Sequence, residues 1–257
     1  MQTKSNKKTP RVRPRAESFL ALRERERERE RVILKSKNSF KEITDAQIWD
    51  AENIYHLKTN ISRIAQIIYH YEIYKKILSV SGNVIECGVF KGNSLVRFLT
   101  YRSLLENNFS RKIYGFDIFG KFPNAKNIND KVFVKKWEKE SNNGISQKEL
   151  ETNLYNKKFE NFKLIGGNIL KTIPKFLRDN THIKIALLHL DMDIYEPTKY
   201  ALNKFFKYMS SGGIILLDDY STIYGATKAV NEFLKKNKTL KIQKLSYYKK
   251  PSFIIVP

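Results

Sequence analysis

Residues 184–198, KIALLHLDMDIYEPT, join an apolar run typical of a buried strand to two aspartates, Asp191 and Asp193, at the point where the run ends. Charged groups at the edge of a core cost free energy unless they are paired or hydrated. The two aspartates are therefore either hydrated turn residues or parts of a site that holds a cation and a reactive group. The segments on either side decide between these interpretations.

From residue 84 onward, apolar runs with strand character alternate with segments of helical spacing. The strand candidates are VIECGV (84–89), KIYGFD (112–117), FKLIGG (162–167), IKIALLHLD (183–191), GIILLDDY (213–220), LKIQKLS (240–246) and SFIIVP (252–257). The linker between the last two is too short for a crossover helix, so they are predicted to form an antiparallel hairpin. This order predicts a doubly wound, Rossmann-like α/β fold whose mostly parallel, seven-stranded sheet ends in that C-terminal hairpin.

The N-terminal part of the chain falls into two zones. Residues 43–81 carry apolar residues at helical spacing and predict N-terminal helices before the first strand. Residues 1–40 combine prolines, basic charge and the repeat RERERERER (23–31) without an apolar period. That pattern predicts a disordered basic arm, followed by one domain over residues 41–257.

Composition limits the classes of protein to which the chain can belong. Of its 257 residues, 41% are hydrophobic and 12% aromatic, which is typical of a globular protein. Cys87 is the only cysteine, so an internal disulfide and a multi-cysteine zinc site are excluded. No run approaches the ~18 apolar residues of a membrane span, and the basic start lacks the apolar core of a secretory signal. We expect a soluble, cytoplasmic protein.

The net charge of +22 is spread along the chain. Residues 1–41 contain 14 Lys or Arg against 5 Glu, and the rest of the excess is mostly lysine. Such lysines usually form a hydrated surface, although they also attract anions such as nucleotide sugars, phosphates or nucleic acid. Because a glutamate follows nearly every arginine of the repeat, we do not expect nucleic acid to be a partner.

The first strand candidate runs into a turn that contains two glycines. Glu86 is followed by Gly88, Gly92 and Ser94, and the glycines permit a tight turn and a close approach of a ligand to the backbone. The spacing is not the GxGxxG of dinucleotide-binding proteins, and a structural turn would also explain it. Asp117, at the end of the second strand, is well placed to accept hydrogen bonds from both hydroxyls of a ribose.

Four aspartates follow the fourth and fifth strands. Asp191 and Asp193 come after the fourth, and Asp218 and Asp219 end the fifth. If these strands are neighbours, their ends lie about 5 Å apart, and the carboxylates would raise one another's pKa unless a cation neutralised them. Oxygen-only ligands favour Mg²⁺ first and Mn²⁺ or Ca²⁺ next. The alternative is that the aspartates only cap the following helices.

Four segments of the chain together resemble the macrocin O-methyltransferase (TylF-type) family of class I S-adenosylmethionine-dependent enzymes. They are VIECGVFKGNS (84–94), YGFDIFGKFP (114–123), HLDMDIYEPTKYAL (189–202) and SGGIILLDDYSTIYGATKAVNEF (211–233). The resemblance covers about residues 55–240. Ile118 and Phe122 depart from it, since the family usually has serine and leucine at these two positions.

The resemblance implies a methyl transfer to an oxygen atom. S-adenosylmethionine would lie over the loop that contains Gly92, with Asp117 at its ribose and with Glu86, Gly88 and Ser94 near its methionine end. The resemblance also implies that Mg²⁺ or Mn²⁺ is held by Asp191, Asp218 and Asp219. Asp193 would be the general base, and the acceptor would be a hydroxyl of a nucleotide-linked sugar, a glycan or a glycosylated natural product.

Other functions remain open at this stage. A nicotinamide-dependent oxidoreductase would share the architecture but would leave the aspartates unexplained. A nucleic-acid methyltransferase recruited by the basic arm would have to act on ribose, because the N/D-P-P-Y motif used on base amines is absent. A non-catalytic protein would have no need of Asp191, Asp218 and Asp219. His189 is interpreted as a structural histidine, and the sequence is compatible with a homo-oligomer.

Overall fold

The structure is a computed structural model that describes residues 43–123, 125–141, 144–248 and 250–257. The predicted arm, residues 1–40, lies outside the described residues. In chain order the elements are α1 (Asp45–Lys58), α2 (Ile61–Lys76), β1 (Asn83–Cys87), α3 (Asn93–Leu105), β2 (Ile113–Asp117), α4 (Ile128–Glu140), α5 (Gln147–Asn156), β3 (Phe162–Gly166), α6 (Ile169–Asp179), β4 (Ile185–Leu190), α7 (Tyr195–Phe205), a 3-10 turn (Phe206–Tyr208), β5 (Met209–Leu217), α8 (Tyr224–Lys236) and β6 (Ser252–Ile255).

The strands form one sheet in the order β3-β2-β1-β4-β5-β6. The first five are parallel to one another, and β6 runs antiparallel to β5. The chain winds outward from β1 to β3 and then returns to place β4 on the other side of β1. In a sheet of this kind the crevice for a ligand opens at the carboxyl ends of the strands on either side of that reversal. The predicted α/β fold class is confirmed.

The predicted count of seven strands is wrong by one in the described part of the chain. Residues 240–246 were expected to form the first strand of the hairpin, but only Gln243 pairs there, in an isolated antiparallel bridge to Phe253. Two backbone hydrogen bonds of 2.8 and 2.9 Å close the bridge. Four side chains of the segment are exposed at this edge of the sheet, so little apolar burial supports a longer ladder: Lys241, Gln243, Lys244 and Ser246.

Helices cover both faces of the sheet and enclose a core on each. One face carries Ile85 and Leu188 and packs against α6, α7 and α8. The opposite face carries Val84 and Leu187 and packs against α2, α3 and α5. Successive strand residues alternate between these faces, and β4 is buried at every position of Ile185–Leu190 because it lies in the middle of the sheet.

The predicted N-terminal helices are present, and the second of them reaches the sheet. The hydroxyl of Thr44 caps α1, which buries none of its own residues. In contrast, α2 buries Tyr69, His70, Ile73 and Tyr74. It packs on the sheet face that carries Leu187 and so brings His70 against His189 of β4. Among the described residues, no helix is long and apolar enough to cross a membrane.

Candidate active site

A cavity of about 1030 Å³ lies at the carboxyl ends of the parallel strands. This is at the upper end of the ~300–1,000 Å³ usual for ligand pockets. Its wall includes Gly88 after β1 and Asp117 at the end of β2, together with the four aspartates after β4 and β5. The winding order of the sheet and the polar strand ends therefore agree on one location.

Gly88 allows the chain segments that follow β1 and β4 to meet. Its φ is +94°, and a Cβ at this position would lie 1.7 Å from the carbonyl oxygen of Asp191. The two segments are also tied by a hydrogen bond of 2.9 Å from the Asp191 N–H to the Cys87 carbonyl. Any side chain at residue 88 would displace the backbone that carries Asp191.

Asp117 holds the loops that follow β1 and β2. One carboxylate oxygen accepts hydrogen bonds from the backbone N–H groups of Val89 and Phe90 at 2.7 and 2.8 Å, and the other accepts from Phe119 at 2.7 Å. Phe90 and Phe119 both adopt left-handed backbone conformations, with φ of 51° and 49°, which bulky residues rarely do. A carboxylate offers about four acceptor sites. With three of these in use by backbone N–H groups, Asp117 keeps about one acceptor site for a further hydrogen bond.

The other predicted cofactor residues lie outside the lining of the cavity. Glu86 is fully buried and accepts a hydrogen bond from Ser94. Gly92 starts α3 with a φ of +84°, and a Cβ there would lie 2.6 Å from Leu150 Cδ1. The structure thus places Gly88 and Asp117 at the cavity and places Glu86, Gly92 and Ser94 in the support of its loop.

Three of the four aspartates form one group, here called the carboxylate cluster. Oxygens of Asp191, Asp193 and Asp219 lie within 4.8 Å of one another. The backbone N–H of Asp193 donates to Asp219 Oδ2 at 2.9 Å. Asp193 has a left-handed φ of 62°, a conformation that aspartate tolerates better than most residues.

The carboxylate cluster is electrostatically unfavourable as it stands. Burial raises the pKa of Asp191 well above its usual range, and the nearby Asp218 and Asp219 raise it further. Burial also raises the pKa of Asp219, followed by the charges of Asp193 and Asp218. The pKa of Asp193 is raised to about 6, mainly by burial, although its hydrogen bond with Asp219 opposes the shift. A bound cation would relieve this repulsion, and the all-oxygen donor set suits a hard one.

Asp218 belongs to a different group from its neighbour Asp219. Its carboxylate lies within 4.8 Å of ring nitrogens of His70 and His189, and Asp218 Oδ1 accepts a long hydrogen bond of 3.4 Å from Gln66 Nε2. We call His70, His189 and Asp218 the histidine pocket. The predicted ligand set of Asp191, Asp218 and Asp219 therefore does not coincide with either group, although all three residues line the cavity.

Two parts of the site were missed from the sequence. One is an aromatic wall of the cavity, in which the Trp137 ring lies 4.9 Å from Phe90 and 5.1 Å from Phe122. The other is His70, which α2 carries to the sheet. Helical spacing indicates that one face of α2 is buried, but no local signal indicates which strand end that face meets.

A family model for macrocin-O-methyltransferases (TylF) matches residues 3–246. The chain belongs to this family. The family that the sequence motifs predicted is thus confirmed, over a longer part of the chain than those motifs cover. The protein is an S-adenosylmethionine-dependent O-methyltransferase, which decides against the alternative of hydride transfer.

Individual relatives are similar at low sequence identity. A Streptomyces olivaceus protein named 8-demethyl-8-(2,3-dimethoxy-alpha-L-rhamnosyl)-tetracenomycin-C 4'-O-methyltransferase is 24% identical over 190 residues, which are 72% of this chain and 69% of the relative. A crystal structure of the calicheamicin methyltransferase CalS11 is 20% identical with a TM-score of 0.65, and covers 98% of this chain and 99% of its own. An apo structure of CalS11, described as a TDP-rhamnose 3'-O-methyltransferase, is 22% identical with a TM-score of 0.61 and coverages of 93% and 96%. The two structural similarities show the shared fold.

Proposed function

We propose that the protein transfers the methyl group of S-adenosylmethionine to a hydroxyl of a sugar, in a nucleotide-linked sugar, a glycan or a glycosylated natural product. The observation that carries the proposal is the carboxylate cluster in the wall of the cavity of an O-methyltransferase. The sugar is supported by the relatives, since one is named for a rhamnosyl compound and another for TDP-rhamnose.

S-adenosylmethionine would lie at the ends of β1 and β2. Asp117 has one acceptor site left for a ribose hydroxyl, and Gly88 leaves the backbone bare on the way to Asp191. Glu86, Gly92 and Ser94 would not contact the cofactor but would fix the shape of the loop near the methionine end of S-adenosylmethionine. The aromatic wall would shield the reacting groups from water.

A divalent cation, Mg²⁺ or Mn²⁺, would be held by Asp191, Asp218 and Asp219. The fit rests on the chemistry of these residues: they supply only oxygen, they line one cavity, and the raised pKa values of Asp191 and Asp219 indicate negative charge that lacks compensation. When bound, the cation would lower the pKa of the acceptor hydroxyl and orient it.

Asp193 would be the general base. Its left-handed backbone and its hydrogen bond to Asp219 hold it beside the other carboxylates. Burial raises the pKa of Asp193 to about 6 before any cation binds, and even then most of its side chains are ionised at neutral pH and able to accept a proton. Asp193 would take the proton of the hydroxyl as the oxygen attacks the methyl group in line with the departing sulfur.

The proposal is tested with labelled S-adenosylmethionine and a panel of acceptors, followed by mass spectrometry. The panel contains nucleotide sugars, glycosylated natural products and RNA oligonucleotides. We expect the label on a sugar hydroxyl of one of the first two classes, and label on the ribose of RNA alone would overturn the substrate class. Calorimetry tests the cofactor separately, because S-adenosyl ligands should bind and NAD(P) should not.

A further inference from the structure

The histidine pocket contains three buried ring nitrogens without a hydrogen-bond partner among the described residues. They are Nδ1 and Nε2 of His70 and Nε2 of His189, and both rings are fully buried. Buried polar atoms are nearly always paired, since leaving one unpaired costs roughly 1–3 kcal/mol. Three such atoms beside one carboxylate point to a ligand that they bind together.

The hydrogen bonds of His189 determine which of its nitrogens is available. Nδ1 lies 3.1 Å from Glu86 Oε1, and because a carboxylate only accepts, Nδ1 carries a proton. Nε2 is then the nitrogen that is left for a ligand. A carboxylate that orients a histidine through one nitrogen and leaves the other for a metal is the usual support of a histidine ligand. The His70 ring is neutral, because burial lowers its pKa well below the usual range.

The three residues are arranged closely enough to surround one ion. One ligand atom from each lies within 4.8 Å of the others. Ligand atoms about a tetrahedral ion with bonds of ~2.0–2.1 Å stand ~3.4 Å apart, so a closing movement of at most about 1.4 Å completes the set. Asp218 is only partly buried and lines the cavity, so this ligand can be reached from the cavity.

We propose that His70, His189 and Asp218 bind one borderline divalent ion of the Zn²⁺ class, beside and distinct from the carboxylate cluster. Two imidazoles and one carboxylate suit Zn²⁺ or Co²⁺, whereas Mg²⁺ takes oxygen ligands almost exclusively. The ion would link α2 to the ends of β4 and β5. Asp218 has two carboxylate oxygens, so it can serve this ion and a hard cation at the carboxylate cluster at the same time.

The test uses the full chain without an affinity tag, stripped of metal and then saturated with Mg²⁺ so that oxygen-only sites are filled. Co²⁺ is titrated in and followed by its visible absorption and by calorimetry. We expect one Co²⁺ per chain with the spectrum of nitrogen ligation, displaced by Zn²⁺, and a melting temperature raised by roughly 5–11 °C at Zn²⁺ a hundredfold above its Kd. Absence of a nitrogen-ligated ion in the unaltered protein would overturn the proposal without reference to any variant.

Two variants locate the ion, with a matched control. His189→Asn keeps a donor at the position of Nδ1, facing Glu86, and removes the ligand nitrogen Nε2 with part of the ring, while His182→Asn makes the same change at an exposed histidine. His70→Leu removes the other imidazole without losing a hydrogen bond. His189→Asn and His70→Leu should each lower the affinity for Zn²⁺ by more than ~10–100-fold, which is the loss typical of changes to residues that only support a ligand. His182→Asn should leave the affinity unchanged. Binding that survives in His189→Asn and His70→Leu would overturn the proposal.

Discussion

The carboxylate cluster and the histidine pocket contain adjacent residues, Asp219 and Asp218 respectively, but they differ in charge and in ligand chemistry. The carboxylate cluster gathers three acids whose burial and repulsion raise their pKa values. The histidine pocket joins one acid to two fully buried imidazole rings. Successive residues at the end of a strand point to opposite sides, so the two adjacent aspartates contribute to two sets of ligands, one of oxygen alone and one of nitrogen and oxygen. Experiments that affect one set and not the other show whether the two sets act separately.

The largest effect is expected from withholding the divalent cation that we propose for Asp191, Asp218 and Asp219. Chelation should lower methyl transfer by roughly 10⁴-fold or more, because a metal supplies several kcal/mol of stabilisation to the reacting oxygen, and added Mg²⁺ should restore the activity. Asp191→Asn should weaken Mg²⁺ binding in calorimetry while leaving the fold intact, since repulsion is relieved. If Asp191→Asn, Asp218→Asn retained full activity with chelator present, the acids would be only caps and hydrated turns.

Asp193→Asn should have a smaller effect and should separate proton transfer from metal binding. Loss of a positioned base typically lowers turnover by about 10²–10⁴-fold, while Mg²⁺ affinity should stay near that of the unaltered protein. Turnover and Mg²⁺ titrations on the same preparation check both. A loss of metal affinity as large as that in Asp191→Asn would instead make Asp193 a ligand, as its position inside the carboxylate cluster allows.

The pH dependence of stability gives a third, still smaller effect. Because Asp191, Asp193 and Asp219 have raised pKa values in the folded state, the folded chain binds more protons than the unfolded chain above the usual aspartate pKa of about 3.9. The melting temperature of the metal-free protein should therefore receive a negative contribution as pH rises, between about pH 4 and pH 6 for Asp193. Mg²⁺ should stabilise more at pH 7 than at pH 4.5.

Asp191→Asn provides the control for that pH experiment. It removes one titrating acid and part of the repulsion on the others, so the fall in melting temperature with pH should become shallower. A variant whose melting temperature follows the same pH curve as the unaltered protein would show that the carboxylate cluster does not set this dependence. His70 should contribute in the opposite direction, because burial lowers its pKa and the unfolded chain therefore binds more protons at this group.

The fold and the meeting of the four aspartates at one cavity were predictable from the sequence, because both depend on local patterns of residues. The alternation of apolar runs and helical segments predicts that β1 to β5 are joined by helices and are therefore parallel. Acids directly after β4 and β5 then lie at the same edge of the sheet. The seventh strand was overestimated because an alternating segment such as residues 240–246 does not reveal how little of it is buried. Asp117 was expected to serve only a ligand, but it also holds two strained loops.

The histidine pocket was not predictable in the same way. The residues around His189 in the sequence do not show which helix packs against its side of the strand. His70 is about 120 positions earlier in the chain, on a helix whose apolar period shows only that one of its faces is buried. Their meeting depends on the crossing of α2 over β4 and on the register that places Glu86 beside His189. Such a contact is a property of tertiary packing, so no window of sequence contains it.

The smallest effect is expected from His70→Leu in the absence of metal. A buried polar side chain that makes good hydrogen bonds normally costs about 1 kcal/mol or more to remove, but both His70 nitrogens lack partners. Leucine has a similar volume and restores apolar contact with the Phe98 ring, whose centroid lies 5.2 Å from that of His70. We expect the metal-free unfolding free energy, measured with denaturant, to stay the same or to rise, with no loss greater than about 1 kcal/mol. A loss of about 3 kcal/mol or more would show that His70 is satisfied within the protein itself, and the histidine pocket would then be a part of the core with no need of an ion.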